Sequence, residues 1–142
     1  MRFMAIMYPG PQAEAGVMPD EKILTEMGNF NEELVKSGAM VSGEGLLPSA
    51  RGARIRFPGG KAEVQRGPFT GSEIVGGFWI LEFPSLDEAI ATMSRCPTMG
   101  GEMIEIRKVA EAADFGDAFT PELQEQEERL RSEIAAQQGS KP

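Results

Sequence analysis

Two runs of strand length are apolar on both faces, and they limit what this chain can fold into more than any other feature. Residues 2–8, RFMAIMY, put Phe3, Ala5 and Met7 on one side and Met4, Ile6 and Tyr8 on the other. Phe78 to Phe83 set Phe78 and Ile80 against Trp79, Leu81 and Phe83. A strand that is apolar on both faces needs cover on both, which places each run in the middle of a layered sheet.

The segments between them supply the rest of a mixed fold. Residues 9–18 hold Pro9, Gly10, Pro11 and Gly16 and read as a loop. Pro19, Asp20 and Glu21 open a helix over 19–37, with proline at its first position and carboxylates on the positive end of the dipole. Ile23, Met27, Phe30 and Leu34 recur at helical spacing, and Gly38 is a natural stop. Residues 39–48 make a short strand and an irregular stretch. A two-residue turn at Gly59-Gly60 then sets Arg56 opposite Glu63, Ile55 opposite Val64 and Phe57 opposite Ala62, apolar meeting apolar and cation meeting anion. Residues 66–77 are Gly- and Pro-rich loop. Ser85-Leu86-Asp87-Glu88 is a capping box for a helix bearing Leu86, Ala89, Ile90 and Met93, closed by Pro97. Glu102 to Val109 alternate as a half-buried strand.

The order β-α-β, hairpin, β-α-β predicts an α+β ferredoxin-like sandwich with an inserted hairpin. Its two doubly apolar strands take the centre. Two helices cover one face only, so groups such as Phe78 or Trp79 on the other face need a second surface, and a homodimer supplies it.

Composition removes whole classes of chemistry. At 142 residues the chain is one domain with an extension, long enough to bury a core without staples. It has no histidine, which excludes Ser-His-Asp and Cys-His systems and His-based zinc sites. The net charge of −8 opposes nucleic-acid binding. No apolar run reaches the ~20 residues of a membrane span, and no signal-peptide pattern stands at the N-terminus. The single cysteine, Cys96, fits a cytoplasmic location. Phosphate-loop and dinucleotide glycine patterns are absent, and neither a cofactor nor a metal is expected.

Residues 1–109 read as the α+β domain and 110–142 as an acidic extension. The extension holds eight acidic and three basic residues. Thr120-Pro121-Glu122 starts a helix over about 121–136, with Glu125/Arg129 and Glu127/Arg131 at i,i+4 spacing. Phe115 and Phe119 are its expected anchors, which favours a docked arm over a solvated tail.

Several pieces together resemble a known family. They are Gly43-Glu44-Gly45-Leu46 before the hairpin, Arg66-Gly67-Pro68-Phe69 after it, Gly76-Gly77-Phe78-Trp79, Cys96-Pro97, and Ile104-Glu105-Ile106-Arg107. Their set is similar to the YCII-related proteins of the DGPF type, over essentially the whole chain including Phe115 to Arg131. The resemblance implies a dimeric α/β sandwich or barrel. YCII-like relatives have a His–Asp pair proposed as catalytic, and some eliminate chloride from chlorinated hydroquinones. DGPF-type relatives are often encoded beside extracytoplasmic-function sigma factors. This sequence departs from both patterns. It has no histidine, Arg66 stands where the name-giving aspartate would be, and the loop Thr70-Gly71-Ser72-Glu73 is a residue short and lacks the usual lysine. A His–Asp mechanism cannot operate.

The candidate site residues gather at the glycine-rich loops and strand ends. Glu44 and Glu73 are each a general base or ligand acceptor, or else structural carboxylates, Glu44 pairing with a hairpin arginine. Arg66 is an anion clamp or an exposed turn arginine. Tyr8 turns its phenol to a cleft or keeps it at the rim of the core. Phe69 fixes the loop and plugs the sheet end, or stacks on a ligand. Trp79 is dimer core first and pocket wall second. Gly76-Gly77 permit a bulge or a close chain approach, and Cys96 is a packing residue rather than a nucleophile. The expected function is binding of a small, partly apolar organic anion in a cleft of the homodimer. A lyase- or isomerase-type enzyme using Glu44 or Glu73, and a regulatory protein-interaction module associated with sigma-factor signalling, are the alternatives.

Overall fold

A computed structural model describes residues 1–141. The chain divides into two compact units, Met1–Val109 and Ala110–Pro142.

The first unit is built on four antiparallel strands, β1 (Arg2–Tyr8), β2 (Met40–Gly45), β5 (Gly77–Glu82) and β6 (Met103–Lys108), in the order β2-β5-β1-β6. The two doubly apolar runs are therefore the central pair, in a register that sets Ala5 beside Trp79 and Phe3 beside Leu81. One face packs on α2 (Glu21–Lys36) and α3 (Leu86–Met93), where Ala5, Phe30, Leu34, Trp79, Leu81, Met93 and Cys96 form the core. Met4, Ile6, Phe78 and Ile80 lie half-buried on the other face. Trp79 is not among them. It points to the helices, and its indole Nε1 donates to Asn31 Oδ1 at 2.9 Å. The sheet face expected to carry Phe78 or Trp79 carries Phe78, because strict alternation along β5 allows only one of two neighbours per face.

Local chemistry sets the element ends. Asp20 is the cap of α2, its carboxylate accepting from Ile23 N at 2.9 Å, so Pro19 precedes the helix instead of taking its first position. The helix therefore begins two residues later than the proline signal predicts. At the other end Gly38 adopts φ 79°, with Gly38 N bonded to Val35 O and Ala39 N to Leu34 O. That pair of bonds is a Schellman stop, and it satisfies carbonyls the helix would leave bare. Within α2, Gly28 is exposed and an added methyl would meet nothing within 4 Å. Gly28→Ala is expected to stabilise the unit by about 1 kcal/mol through helix propensity. A chemical denaturation midpoint at or below wild type would contradict this.

The segment read as a loop after β1 contains a short helix, α1 (Pro11–Glu14), with proline in its first turn. The hairpin strands β3 (Ala53–Arg56) and β4 (Glu63–Arg66) have the expected pairing of Ile55 with Val64 and Arg56 with Glu63. Both turn glycines have positive φ, 59° and 84°, as a primed two-residue turn requires. The hairpin forms its own two-stranded sheet. Its apolar face is consequently uncovered: Phe57 is 65% exposed, and Ile55 and Val64 are exposed as well.

The second unit contains α4 (Pro121–Gly139), capped by Thr120 and longer than predicted. Arg131 pairs with Glu127 at 2.8 Å, as its spacing suggests, while Arg129 reaches Glu133 at 3.8 Å. Phe115 is 59% exposed. It packs on Phe119, with ring centroids 5.4 Å apart.

Candidate functional site

Tyr8 ends a central strand, so its side chain emerges where the sheet gives way to loops. It faces a cleft of about 630 Å³ bounded by the 9–14 segment, the 69–74 loop, Gly101 and Met103. Phe69, Glu14 and Glu73 line the same space. Two aromatic rings, two carboxylates, Ser72 and a remaining wall of apolar and glycine residues thus converge on one cavity within the 300–1,000 Å³ range of small-ligand sites.

A buried polar cluster fixes the wall. Ser49, only 8% exposed, donates its backbone N–H to both oxygens of the Glu14 carboxylate at 3.1 and 3.2 Å. Its hydroxyl donates to Glu14 Oε1 and accepts from Phe69 N at 2.9 Å. A hydroxyl has one donor and two acceptor sites, so one serine can tie a carboxylate to a backbone amide. Gly67 lies against the Ser49 carbonyl in the same cluster. The ring of Phe69 is held from the hairpin, with the Arg54 guanidinium 4.0 Å from its centroid. Gly76 closes the strand ends, its N–H donating to Met7 O at 2.8 Å and its carbonyl accepting from Leu46 N at 2.9 Å. A methyl there would lie 2.5 Å from the Pro9 ring, which is the close chain approach the paired glycines suggested.

The residues singled out from the sequence do not share one site. Tyr8, Phe69 and Glu73 share the large cleft. Glu44 and Trp79 line a different one of about 300 Å³, with Met7, Met27, Asn31 and Phe78. Glu44 is exposed there, and no hairpin arginine pairs with it among the described residues. Arg66 is exposed at the end of β4, opposite Ala53, and borders neither cleft. Without it, the argument for an anionic ligand loses its cation, because the charged side chains of the large cleft are both carboxylates. Burial, and then the Glu102 carboxylate, push the Cys96 thiol up to about 11, so it stays protonated near neutral pH and suits packing rather than attack.

Sequence reading missed Glu14, Ser49 and Arg54. Glu14 lies in a stretch whose prolines and glycines read as loop, and Ser49 carries no local signal. Arg54 was visible as a polar-face hairpin residue, and only the folded loop brings Phe69 beneath it. Among the described residues no group of three or more His, Cys, Asp or Glu side chains is placed to hold a metal ion. No helix of the described residues is long and apolar enough to cross a membrane.

Comparison with known proteins finds likenesses at the level of family, sequence and structure. The profile of the YCII-related domain matches residues 1–113. A curated relative, the uncharacterised protein R00369 of Rhizobium meliloti (strain 1021), is 29% identical over 72 residues. The matched region is 50% of this chain and 58% of that protein's length. Among solved structures, 5-chloro-2-hydroxyhydroquinone dehydrochlorinase (TftG) from Burkholderia phenoliruptrix AC1100, in complex with 2,5-dihydroxybenzoquinone, is 15% identical with a TM-score of 0.42. That alignment covers 80% of this chain and 98% of the other.

Proposed function

This chain belongs to the YCII-related domain family, and on that footing we propose that it binds a small organic molecule in the cleft at the end of β1. One observation carries the reading: Tyr8, Phe69, Glu14 and Glu73 converge on about 630 Å³ of mainly apolar space. Apolar walls supply affinity and a few placed polar groups set orientation. A ligand present at a hundred times its Kd should add about 2.7 kcal/mol of stability. Thermal-shift screening of small amines, acids and neutral aromatics tests this, with each hit repeated on Phe69→Ala. Hits that lose most of their shift in the variant are expected. A panel without hits, or hits indifferent to Phe69, would refute the reading.

We read residues 1–109 as the ligand-binding domain, of ferredoxin-like type, and 110–142 as an acidic extension. The strand order β2-β5-β1-β6, with its two crossing helices, supports the type. The half-buried apolar groups Met4, Ile6, Phe78 and Ile80 support a homodimer joined through this sheet face. Sedimentation should then give twice the 15.4 kDa chain mass, and Ile80→Glu should halve it without unfolding the protein. A wild-type monomer at micromolar concentration would end the dimer reading. Of the two carboxylates considered as a base, Glu73 is the one the cleft favours. Glu44 lies outside it.

A further inference from the structure

The sign of charge around the cleft narrows the ligand class. Of the residues lining it, Glu14 and Glu73 are charged and both are anionic; no lysine or arginine is among them. Glu73 is exposed, lines the cleft and has no hydrogen-bond or ion-pair partner among the described residues. Glu14 is partly committed, since both its oxygens accept from Ser49. A carboxylate has about four acceptor sites, so Glu14 retains capacity toward the cavity. Arg54 of the hairpin sits on the Phe69 ring at 4.0 Å but is outside the cleft lining. The carboxylates alone would not make a site. What makes one is the cavity with its Tyr8 and Phe69 walls, which gives an apolar body somewhere to go.

An organic anion entering this space would meet two like charges, whereas a protonated amine would meet acceptors and aromatic faces together. The net charge of −8 adds in the same direction, although over more than a Debye length of about 8 Å it is screened. We propose that the cleft selects a protonated amine carried on a compact apolar or aromatic body, with Glu73 as its principal ionic partner. This rests on the cleft being a ligand site at all.

Three matched probes separate the two ideas: 2-phenylethylamine, 2-phenylethanol and 3-phenylpropionate, titrated calorimetrically into the full chain. The amine should bind about tenfold or more tightly than the acid, since a charge-assisted hydrogen bond is gained in one case and a repulsion in the other. Glu73→Gln should remove about tenfold of amine affinity and leave the alcohol unchanged. Higher salt should weaken the amine alone. If the acid binds as well as the amine, or Glu73→Gln leaves amine affinity intact, the charge assignment is wrong while the ligand site stands. If none of the probes binds and the wider screen is also empty, both ideas fall together.

Discussion

Gly67→Ala is expected to cost the first unit on the order of 3 kcal/mol, the upper end for overpacking, and roughly 10 °C in Tm. A methyl on Gly67 would lie 1.7 Å from the Ser49 carbonyl oxygen and 2.6 Å from its carbon. Both atoms are backbone, so no side-chain rotation relieves the clash. Ser49 itself is held by Glu14 and by the Phe69 amide, while Gly67 N donates to Gly52 O at 2.9 Å. Relaxation must therefore pull the 67–69 loop off the turn at 49–52 and carry Phe69 out of the cleft wall. The variant should lose ligand binding along with stability. Gly45→Ala is the control, because nothing lies within 4 Å of a methyl there. Thermal melts within about 0.5 kcal/mol of wild type for Gly67→Ala would show that the loop is not packed as described.

Leu81→Ala should be comparably severe, at roughly 2–5 kcal/mol. Leu81 is fully buried, at 0% exposure, in the central strand β5. Its neighbours across the sheet are Phe3 and Met40, and truncation leaves a cavity that two flanking strands resist closing. Its chain neighbour Ile80 offers the contrast. Half-buried on the opposite face, Ile80 loses less on truncation within the protomer and should instead weaken association. Urea denaturation separates the two effects, with the Leu81→Ala midpoint falling at unchanged slope. Equal losses at positions 80 and 81, at all protein concentrations, would mean the two sheet faces are not distinguished in this way.

Much of the secondary structure is legible without the fold because its causes are local. Gly59-Gly60 sets the hairpin register, since both residues must take positive φ and few turns allow that. Gly38 ends α2 and Ser85 caps α3 for reasons contained within a few residues. The two doubly apolar runs identify themselves as the central strands, because edge strands do not need cover on both faces. The start of α2 is ambiguous in the sequence because Pro19 and Asp20 both carry helix-start chemistry, and only the bond to Ile23 N selects between them.

The candidate site was only partly legible. Alternation says that Trp79 and Phe78 face opposite ways, but in a run apolar on both sides it holds no sign for which way the helices lie. That choice is made by α2 and α3 packing, and it sends Trp79 to Asn31 and the core. Tyr8, Phe69 and Glu73 were picked out by strand-end and loop chemistry, and they do share a cleft. Glu44 and Arg66 were picked out on the same grounds and lie elsewhere. The bonds that build the cleft wall join residues 35 and 20 positions apart, Glu14 to Ser49 and Ser49 to Phe69. Local pattern can place each of these on a loop or turn. Which loops meet is decided when the sheet closes and brings them together, and with that the charge the cleft presents is settled too.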